Sequence, residues 1–307
     1  MQPIDHIKEN QRNPIWFNDG LVPFEDAKLH ILTHVNNYGT AVFEGVRVYD
    51  TPNGVSIFHL DDHLTRLMAS TEKFGIKSKW GKEFIKDACI KTVKASGHKS
   101  GYIRPQIQFG LATPGLGATS VVELSIFFWP LGAYRDKEQL DVILSPYERL
   151  SPKAGDIEAK VVGFYTNSHF NYANAHKKGA DDAIMLDVNG NVAEASSSNV
   201  FIVKNSELLT PKPGYILKGI TRSTVIELAT KELGLKVTET VLSVDDLRNA
   251  DEMFLTGTAA EIDSVAKFDN VVFGNGGTGE ITAKIKALYS EVSGGKNDKY
   301  KHWHTFI

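Results

Sequence analysis

Apolar residues recur along the chain in short runs with two periods, two and about 3.6, and these divide it into strands and helices. Ile15-Trp16-Phe17 and Leu21-Val22 flank an Asn18-Asp19-Gly20 turn, a hairpin signature. Ala27 to Thr33 leads into a helical or irregular turn that begins at Tyr38, followed by a strand from Gly45 to Tyr49 and another at Ser56-Ile57-Phe58. Leu60, Leu64, Leu67 and Met68 form a helical stripe, with Asp61 as the expected N-cap and Arg66 off the stripe. A second amphipathic helix is expected from about Gly81 to Ser96. Strands at Gly101–Gly110 and Val121–Trp129 follow, separated by a loop rich in Gly, Pro and Thr.

At Pro130-Leu131-Gly132-Ala133-Tyr134-Arg135-Asp136-Lys137 apolar strand gives way to a charged connector. The expected division is residues 1–130, a connector at 131–138, and a second domain at 139–307. The second half starts with a strand at Leu140–Ser145. It continues through Ile157-Glu158-Ala159-Lys160-Val161-Val162-Gly163-Phe164-Tyr165, which reads as a strand. Asn167-Ser168 is the expected cap of a short helix ending near Lys178-Gly179. Strands at Ala183–Leu186 and Val192–Ala195 flank Asn189-Gly190, the strongest hairpin signal in the chain. A strand pair at Asn199–Lys204 and Glu207–Thr210 follows, then a helix from Gly219 to about Leu233. A strand at Glu252–Thr256 and a last helix at about Thr282–Val292 complete the pattern. With no internal repeat, and hairpins in both halves, the fold class is α/β of α+β-like character rather than a doubly wound sheet.

A chain of 307 residues exceeds one compact core, which agrees with two domains. Lys+Arg total 34 against Asp+Glu 37, with no basic tract, which argues against nucleic acid or an anionic membrane surface as a partner. Residues Met1 to Pro14 are polar and lack the apolar centre of a signal peptide. The most apolar stretch, Leu124 to Ala133, is broken by Pro130, so no membrane span fits. Cys89 is the only cysteine, which rules out an intrachain disulfide and fits a reducing compartment; the expected location is cytoplasmic.

Gly274-Asn275-Gly276-Gly277-Thr278-Gly279 matches the dinucleotide fingerprint and precedes a helix. It lies too near the C-terminus for a following βαβ unit, so it is expected to be a turn. His30/His34 and His59/His63 sit four apart, yet no third ligand or cysteine cluster accompanies them, and no metal is expected. No G-x-S-x-G elbow is present. Lys160 stands among apolar residues, either snorkelling from a strand end or buried for Schiff-base chemistry. Glu194, Arg66, Gly219-Ile220-Thr221 and Gly257-Thr258 are the further candidates. A pyridoxal phosphate site needs a lysine, an acid for the ring nitrogen, and an Arg with a helix N-terminus for the phosphate. Each of these residues also has a bland reading, as surface charge or turn.

Taken in order, Tyr38-Gly39-x-x-x-Phe43-Glu44-Gly45-x-Arg47, His63-Leu64-Thr65-Arg66-Leu67 and Tyr102-Ile103-Arg104-Pro105 resemble the fold-type IV pyridoxal phosphate aminotransferases. Lys160, Glu194, Gly219-Ile220-Thr221-Arg222 and Thr256-Gly257-Thr258-Ala259-Ala260-Glu261-Ile262 follow in that family's order, from about Trp16 to the final helix. The motifs are most similar to those of branched-chain amino acid aminotransferases. Two segments differ from the usual pattern. Lys-x-Gly-Gly-Asn-Tyr is replaced by Lys160-Val161-Val162-Gly163-Phe164-Tyr165. Glu-Gly-x-x-Glu-Asn is replaced by Glu194-Ala195-Ser196-Ser197-Ser198-Asn199, a form closer to D-amino acid transaminases.

The resemblance implies a small N-terminal α/β domain and a larger, pseudo-barrel-like C-terminal domain, with pyridoxal 5'-phosphate at their interface. Lys160 would form the Schiff base, Glu194 would pair with the pyridine nitrogen, and Tyr165 with the phenolic oxygen. Arg66, the Ile220 and Thr221 backbone and Thr258 would hold the phosphate. Tyr102 and the Thr258-Ala259 turn would take the substrate α-carboxylate. Phe43, Tyr38 and Tyr165 would line an apolar pocket, gated by Arg104 and Tyr134 and supported by Arg47. The implied reaction is ping-pong transfer between L-Leu, L-Ile or L-Val and 2-oxoglutarate, by a homodimer or higher homo-oligomer. The alternatives are D-amino acid transamination, (R)-amine transamination or aminodeoxychorismate lysis, against which Tyr102-Ile103-Arg104-Pro105 and Phe43-Glu44-Gly45 speak. A catalytically silent cofactor-binding protein is a further alternative, although every expected catalytic group is present.

Overall fold

The structure, a computed structural model, describes residues 7–117, 120–132, 134–135 and 137–307. It divides into two compact units, one of Met1–Gly132, Ala159–Gly163 and Ser293–Ile307, the other of Ala133–Glu158 and Phe164–Val292.

Among the described residues the first unit holds an eight-stranded antiparallel sheet. Its strands are β1 (Ile15–Phe17), β2 (Gly20–Val22), β3 (Ala41–Phe43), β4 (Val46–Thr51), β5 (Gly54–Phe58), β6 (Gly101–Phe109), β7 (Val122–Trp129) and the C-terminal strand His304–Phe306. The order runs from the C-terminal strand through β5, β4, β6, β7 and β1 to β2, with β3 also on β6. Period-two alternation sends Ile103, Ile107, Leu124 and Ile126 to a face with 0% exposure and leaves Arg104 and Gln106 on the other. Helices α2 (Leu60–Lys73) and α3 (Lys82–Ser96), which follow the short α1 (His34–Tyr38), pack on this unit's strands. They bury Leu60, Leu64 and Leu67 from α2, and Ile85, Ala88, Cys89 and Val93 from α3. The N-cap of α2 is His59, in a left-handed conformation with its ring nitrogen 2.6 Å from Asp62, and not Asp61, which instead pairs with Lys86 at 2.7 Å.

The second unit is built on β8 (Gln139–Leu144), β9 (Asp182–Leu186), β10 (Val192–Ala195), β11 (Asn199–Lys204), β12 (Glu207–Pro211), β13 (Val237–Thr240), β14 (Glu252–Gly257), β15 (Glu261–Phe268) and β16 (Val271–Val272). These pair in the order β10-β9-β8-β15-β14-β11-β12-β13, with β16 on β15. Ala195 N donates to Ser198 O at 2.8 Å, which brings β10 back beside β11 and curls the sheet into a half-barrel. Leu140, Val142, Ile184, Val200, Ile202, Leu255 and Val265 fill one contiguous core. Helices α4 (Tyr165–Lys177), α5 (Ile220–Lys231), α6 (Val244–Arg248) and α7 (Glu280–Ser293) complete the fold.

The run around Lys160 is not a strand. Only Val161 makes an isolated bridge, to Val42, and the chain then turns through a 3-10 segment, Val162–Phe164, into α4. Helix α4 therefore starts at Tyr165, before Asn167-Ser168, and Asn167 Nδ2 donates instead to Glu148 O at 3.0 Å. Apolar residues here are buried by neighbours rather than by sheet pairing, so composition alone misleads.

A buried ion cluster in the second unit carries a pH signature. Arg135 Nη2 donates to Asp182 Oδ2 at 2.8 Å, while its Nε lies 3.2 Å from Asp263 Oδ2 without hydrogen-bond alignment. Burial pushes Asp263 up to about 6, and the Arg135 charge only partly offsets it. A carboxyl raised in the folded state binds a proton that the unfolded chain has already released, so stability falls as pH rises from about 4 to 6. Asp263→Asn should remove on the order of 1–3 kcal/mol of this pH-dependent loss, read by urea titrations between pH 4 and 7. An unaltered slope would contradict the assignment.

Candidate active site

In the first unit the Tyr38–Arg47 motif can be explained position by position. Gly39 caps α1 at φ +66°, and a Cβ there would come within 2.9 Å of Gly163 Cα. Gly163 N donates to Gly39 O at 3.0 Å, so two backbones meet without side chains between them. Phe43 N donates to Lys160 O at 3.1 Å, and Lys160 N donates to Ser70 Oγ on α2 at 3.0 Å. The main chain of Lys160 is thus held at both polar atoms. Gly45 is glycine because a Cβ would lie 1.5 Å from the Tyr102 hydroxyl. Arg47 donates through Nη1 to the carbonyls of Leu131 and Gly132, at 3.0 and 2.9 Å, fixing the chain after β7.

Glu44, fully buried, sits at the centre of this group. Its Oε1 accepts from Arg66 Nε at 2.6 Å, and its Oε2 accepts from Arg66 Nη2 at 2.8 Å and His63 Nδ1 at 2.7 Å. Burial alone would raise its pKa, but the Arg66 fork and His63 more than offset this and hold the carboxyl far below its ordinary range. Burial dominates at His63 and lowers its pKa, so the imidazole is neutral near pH 7 and presents its Nδ1 proton to the carboxylate.

Three rings surround Arg104 in the same unit. Its guanidinium carbon lies 4.9 Å from the centre of Phe43, 5.4 Å from Tyr102 and 5.8 Å from Phe127. Nη2 donates to the Tyr102 hydroxyl at 3.2 Å, and the buried Nε has no hydrogen-bond partner among the described residues. Lys160 Nζ is also 4.9 Å from the Phe43 centre, so both cations neighbour one ring. Tyr38 is half exposed, with its ring 4.6 Å from His34 and its hydroxyl accepting from Gly115 N at 3.0 Å.

In the second unit the Ser196–Asn199 loop gathers the remaining candidates. Glu194 is buried on β10 and accepts from Arg149 Nε at 2.5 Å, Leu217 N at 3.0 Å and Asn199 Nδ2 at 3.2 Å. Asn199 Nδ2 also donates to Leu217 O at 2.9 Å, and a Cβ on Gly219 would strike Asn199 Oδ1. Glu194 and the start of α5 are therefore locked together. Ser198 Oγ would be 3.1 Å from a Cβ on Gly257, which places the Thr258-Ala259-Ala260 turn beside the same loop. Ser196 Oγ donates to Asp182 Oδ1 at 2.6 Å and accepts from Asn171 Nδ2 at 2.7 Å. Tyr165, half-buried, opens α4, and Phe164 seats its ring where a Cβ on Gly155 would be 2.9 Å away. Tyr134 is exposed, with the Arg135 guanidinium 5.8 Å from its ring.

Two helix N-termini in this unit differ in what satisfies them. At α7 the Glu252 carboxylate accepts from Ile281 N and Thr282 N, at 3.0 and 2.7 Å. The glycine fingerprint before α7 is therefore a turn whose helix end is already occupied by an anion. At α5 the N-cap is Gly219, and no side chain caps the helix. Buried Thr256 Oγ1 and Arg149 Nη1 likewise have no hydrogen-bond partner among the described residues. An uncapped helix start and orphaned buried donors fit a bound anionic group with further polar atoms, such as a phosphorylated cofactor. Sequence reasoning missed Arg149 and Asn199 as partners of Glu194, and Glu44 as the holder of Arg66. Among the described residues no group of three or more His, Cys, Asp and Glu side chains is placed to hold a metal ion, and no helix is long and apolar enough to cross a membrane.

Residues 41–268 match the family described as amino-transferase class IV. The branched-chain-amino-acid aminotransferase of Pseudomonas aeruginosa is 38% identical over 298 residues, covering 95% of this chain and 97% of that protein. The crystal structure of the T.th. branched-chain amino acid aminotransferase complexed with N-(5'-phosphopyridoxyl)-L-glutamate is similar with a TM-score of 0.93 at 35% identity, covering 96% and 98% of the two chains. That of the branched-chain aminotransferase from Thermoproteus uzoniensis with norvaline gives 0.89 at 35% identity, covering 95% and 98%. A match of this extent, over motifs whose glycines and acids each have a structural reason, means that the chain belongs to the class IV aminotransferases, among the branched-chain-amino-acid aminotransferases.

Proposed function

We propose that this chain transfers the amino group reversibly between L-leucine, L-isoleucine or L-valine and 2-oxoglutarate, giving L-glutamate and branched 2-oxo acids. The observation that carries this reading is Arg104: a partly buried cation surrounded by three aromatic rings and a tyrosine hydroxyl rather than a carboxylate. Rings suit a branched apolar side chain, and the cation suits the second carboxylate of glutamate. An enzyme exchanging these two substrates must accept both.

Pyridoxal 5'-phosphate, when bound, supplies the electron sink that lets the amino group and the α-proton leave the substrate carbon. Lys160 Nζ would hold the cofactor through its aldehyde carbon and serve as the acid–base group for the α-proton. Glu194 would pair with the ring nitrogen, and the Tyr165 hydroxyl with the phenolic oxygen. Arg66, the Ile220 and Thr221 N–H groups and Thr258 would hold the phosphate. The Tyr102 hydroxyl, Thr258 and Ala259 orient the α-carboxylate. Phe43, Tyr38 and Tyr165 exclude water around the side chain, with Arg104 and Tyr134 at its end. A homodimer or higher homo-oligomer, with a cytoplasmic location, is part of the same proposal. The assembly is supported by the exposed apolar residues Leu29, Ile31 and Leu32, which a second copy would cover.

The test is a half-reaction followed by the cofactor's visible absorbance, with L-leucine, L-glutamate, D-alanine and (R)-1-phenylethylamine supplied separately. Both L-amino acids should bleach the band; bleaching by D-alanine or the amine alone would overturn the substrate assignment. Lys160→Ala should abolish turnover while the far-UV circular dichroism is retained, and near-normal turnover would refute its role. Gly45→Ala should displace Tyr102 and lower kcat/KM for L-leucine on the order of 100-fold, read by steady-state kinetics.

A further inference from the structure

The carboxylate of Glu194 is aimed by a residue from outside its own strand. A carboxylate has about four acceptor positions. Arg149 Nε, Leu217 N and Asn199 Nδ2 fill three of them. One position remains, and it suits a single N–H donor. Arg149 is itself 7% exposed, and its backbone N–H donates to Leu186 O at the end of β9, at 2.8 Å. The sheet thus holds the arginine, and the arginine holds the acid. Its Nη1 is a buried donor with no partner among the described residues, and the acid paired with the guanidinium is Glu194.

The charge balance gives the pair its chemical meaning. The guanidinium brings a positive charge to hydrogen-bond distance of the carboxylate, and a carboxylate is the group that pairs with a protonated ring nitrogen opposite it. The two neutral donors, Leu217 N and Asn199 Nδ2, orient the acid without supplying charge. Arg222, the other deeply buried arginine of this unit, is spent elsewhere, on Glu239 Oε2 at 2.6 Å and Pro211 O at 2.9 Å.

We propose that Arg149 is a positioning residue for the electron sink: it supplies the counter-charge and the direction of Glu194, and through Glu194 keeps the proton on the cofactor's ring nitrogen. This rests on the assignment of Glu194 to that nitrogen. Arginine suits the task because its planar group fixes a direction, whereas a lysine ammonium supplies the charge without one.

The experiment compares the holoenzyme with Arg149→Met, Arg149→Lys and Glu194→Ala, each loaded with pyridoxal phosphate labelled with nitrogen-15 in the ring. Three quantities are read: the nitrogen-15 chemical shift, the cofactor dissociation constant, and kcat and KM for L-leucine. Arg149→Met should move the shift toward the unprotonated value and weaken cofactor binding about tenfold, the scale of an outer partner. It should also lower kcat on the order of 10- to 100-fold with little change in KM, and Arg149→Lys should recover part of kcat. If Arg149→Met fails to fold, Arg149→Gln, which keeps a donor without charge, is read in the same way. Should the arginine variants lose only thermal stability, keeping shift and kcat while Glu194→Ala loses both, the inference is overturned and the site assignment stands. Should Glu194→Ala also keep both, the assignment of Glu194 fails, and the inference with it.

Discussion

A fully buried carboxylate, Glu44, is the constraint on which the first unit depends. It lies between β3 and β4 and accepts three hydrogen bonds from one face of α2. With His63 neutral, the balancing charge comes from Arg66. Removing one partner from such a pair typically costs about 3–5 kcal/mol, because the other charge is left stranded. The arrangement is weak evidence for stability and better evidence for placement. It fixes the rotation of α2, and α2 also carries Ser70, whose hydroxyl accepts the backbone N–H of Lys160. The carboxylate therefore sets where both the arginine and the lysine stand. Its contribution is present above the ordinary carboxylate pKa and is lost only as pH falls through the depressed folded value.

Much of the fold was legible where local chemistry decides it. Asn18-Asp19-Gly20 and Asn189-Gly190 became turns between antiparallel strands, with Asn18 and Gly190 at positive φ. The α2 stripe appeared with Arg66 off it, as its spacing required. What was missed is decided by distant partners. Val237–Thr240 became a strand by parallel pairing with β12, and Glu261–Phe268 by lying between β14 and β8. The C-terminal His304–Phe306 pairs with β5, from the far end of the sequence. Lys160 misled in the opposite sense: its apolar neighbours are buried without a ladder to join.

The candidate site was read mainly from the order of its motifs, and the structure supplies reasons that order alone does not contain. A glycine says only that a side chain is unwelcome; which atoms exclude it, Tyr102 for Gly45 or Asn199 for Gly219, is a tertiary fact. Arg149 had no signal in its own neighbourhood, since nothing in Glu148-Arg149-Leu150 distinguishes a buried arginine from an exposed one. The opposite error threatened at Gly274–Gly279, where a familiar spacing precedes a helix whose N–H groups Glu252 already satisfies. Two helix starts of similar sequence thus differ in whether the protein itself supplies the anion.

The meeting of Gly39 and Gly163 has a consequence for anyone who would redesign the chain. Their backbones touch, and the Lys160 carbonyl is bound a few residues away, so the lysine is located by main-chain atoms. Substitutions at Arg104, whose guanidinium shares the Phe43 ring with the lysine ammonium, can change these surroundings without moving that reference point. An insertion or deletion between Lys160 and Gly163 cannot, since it would shift the register of the contact. Homologous chains should therefore tolerate wide variation in the lining while keeping this three-residue spacing constant, and libraries for new amine acceptors should hold it fixed.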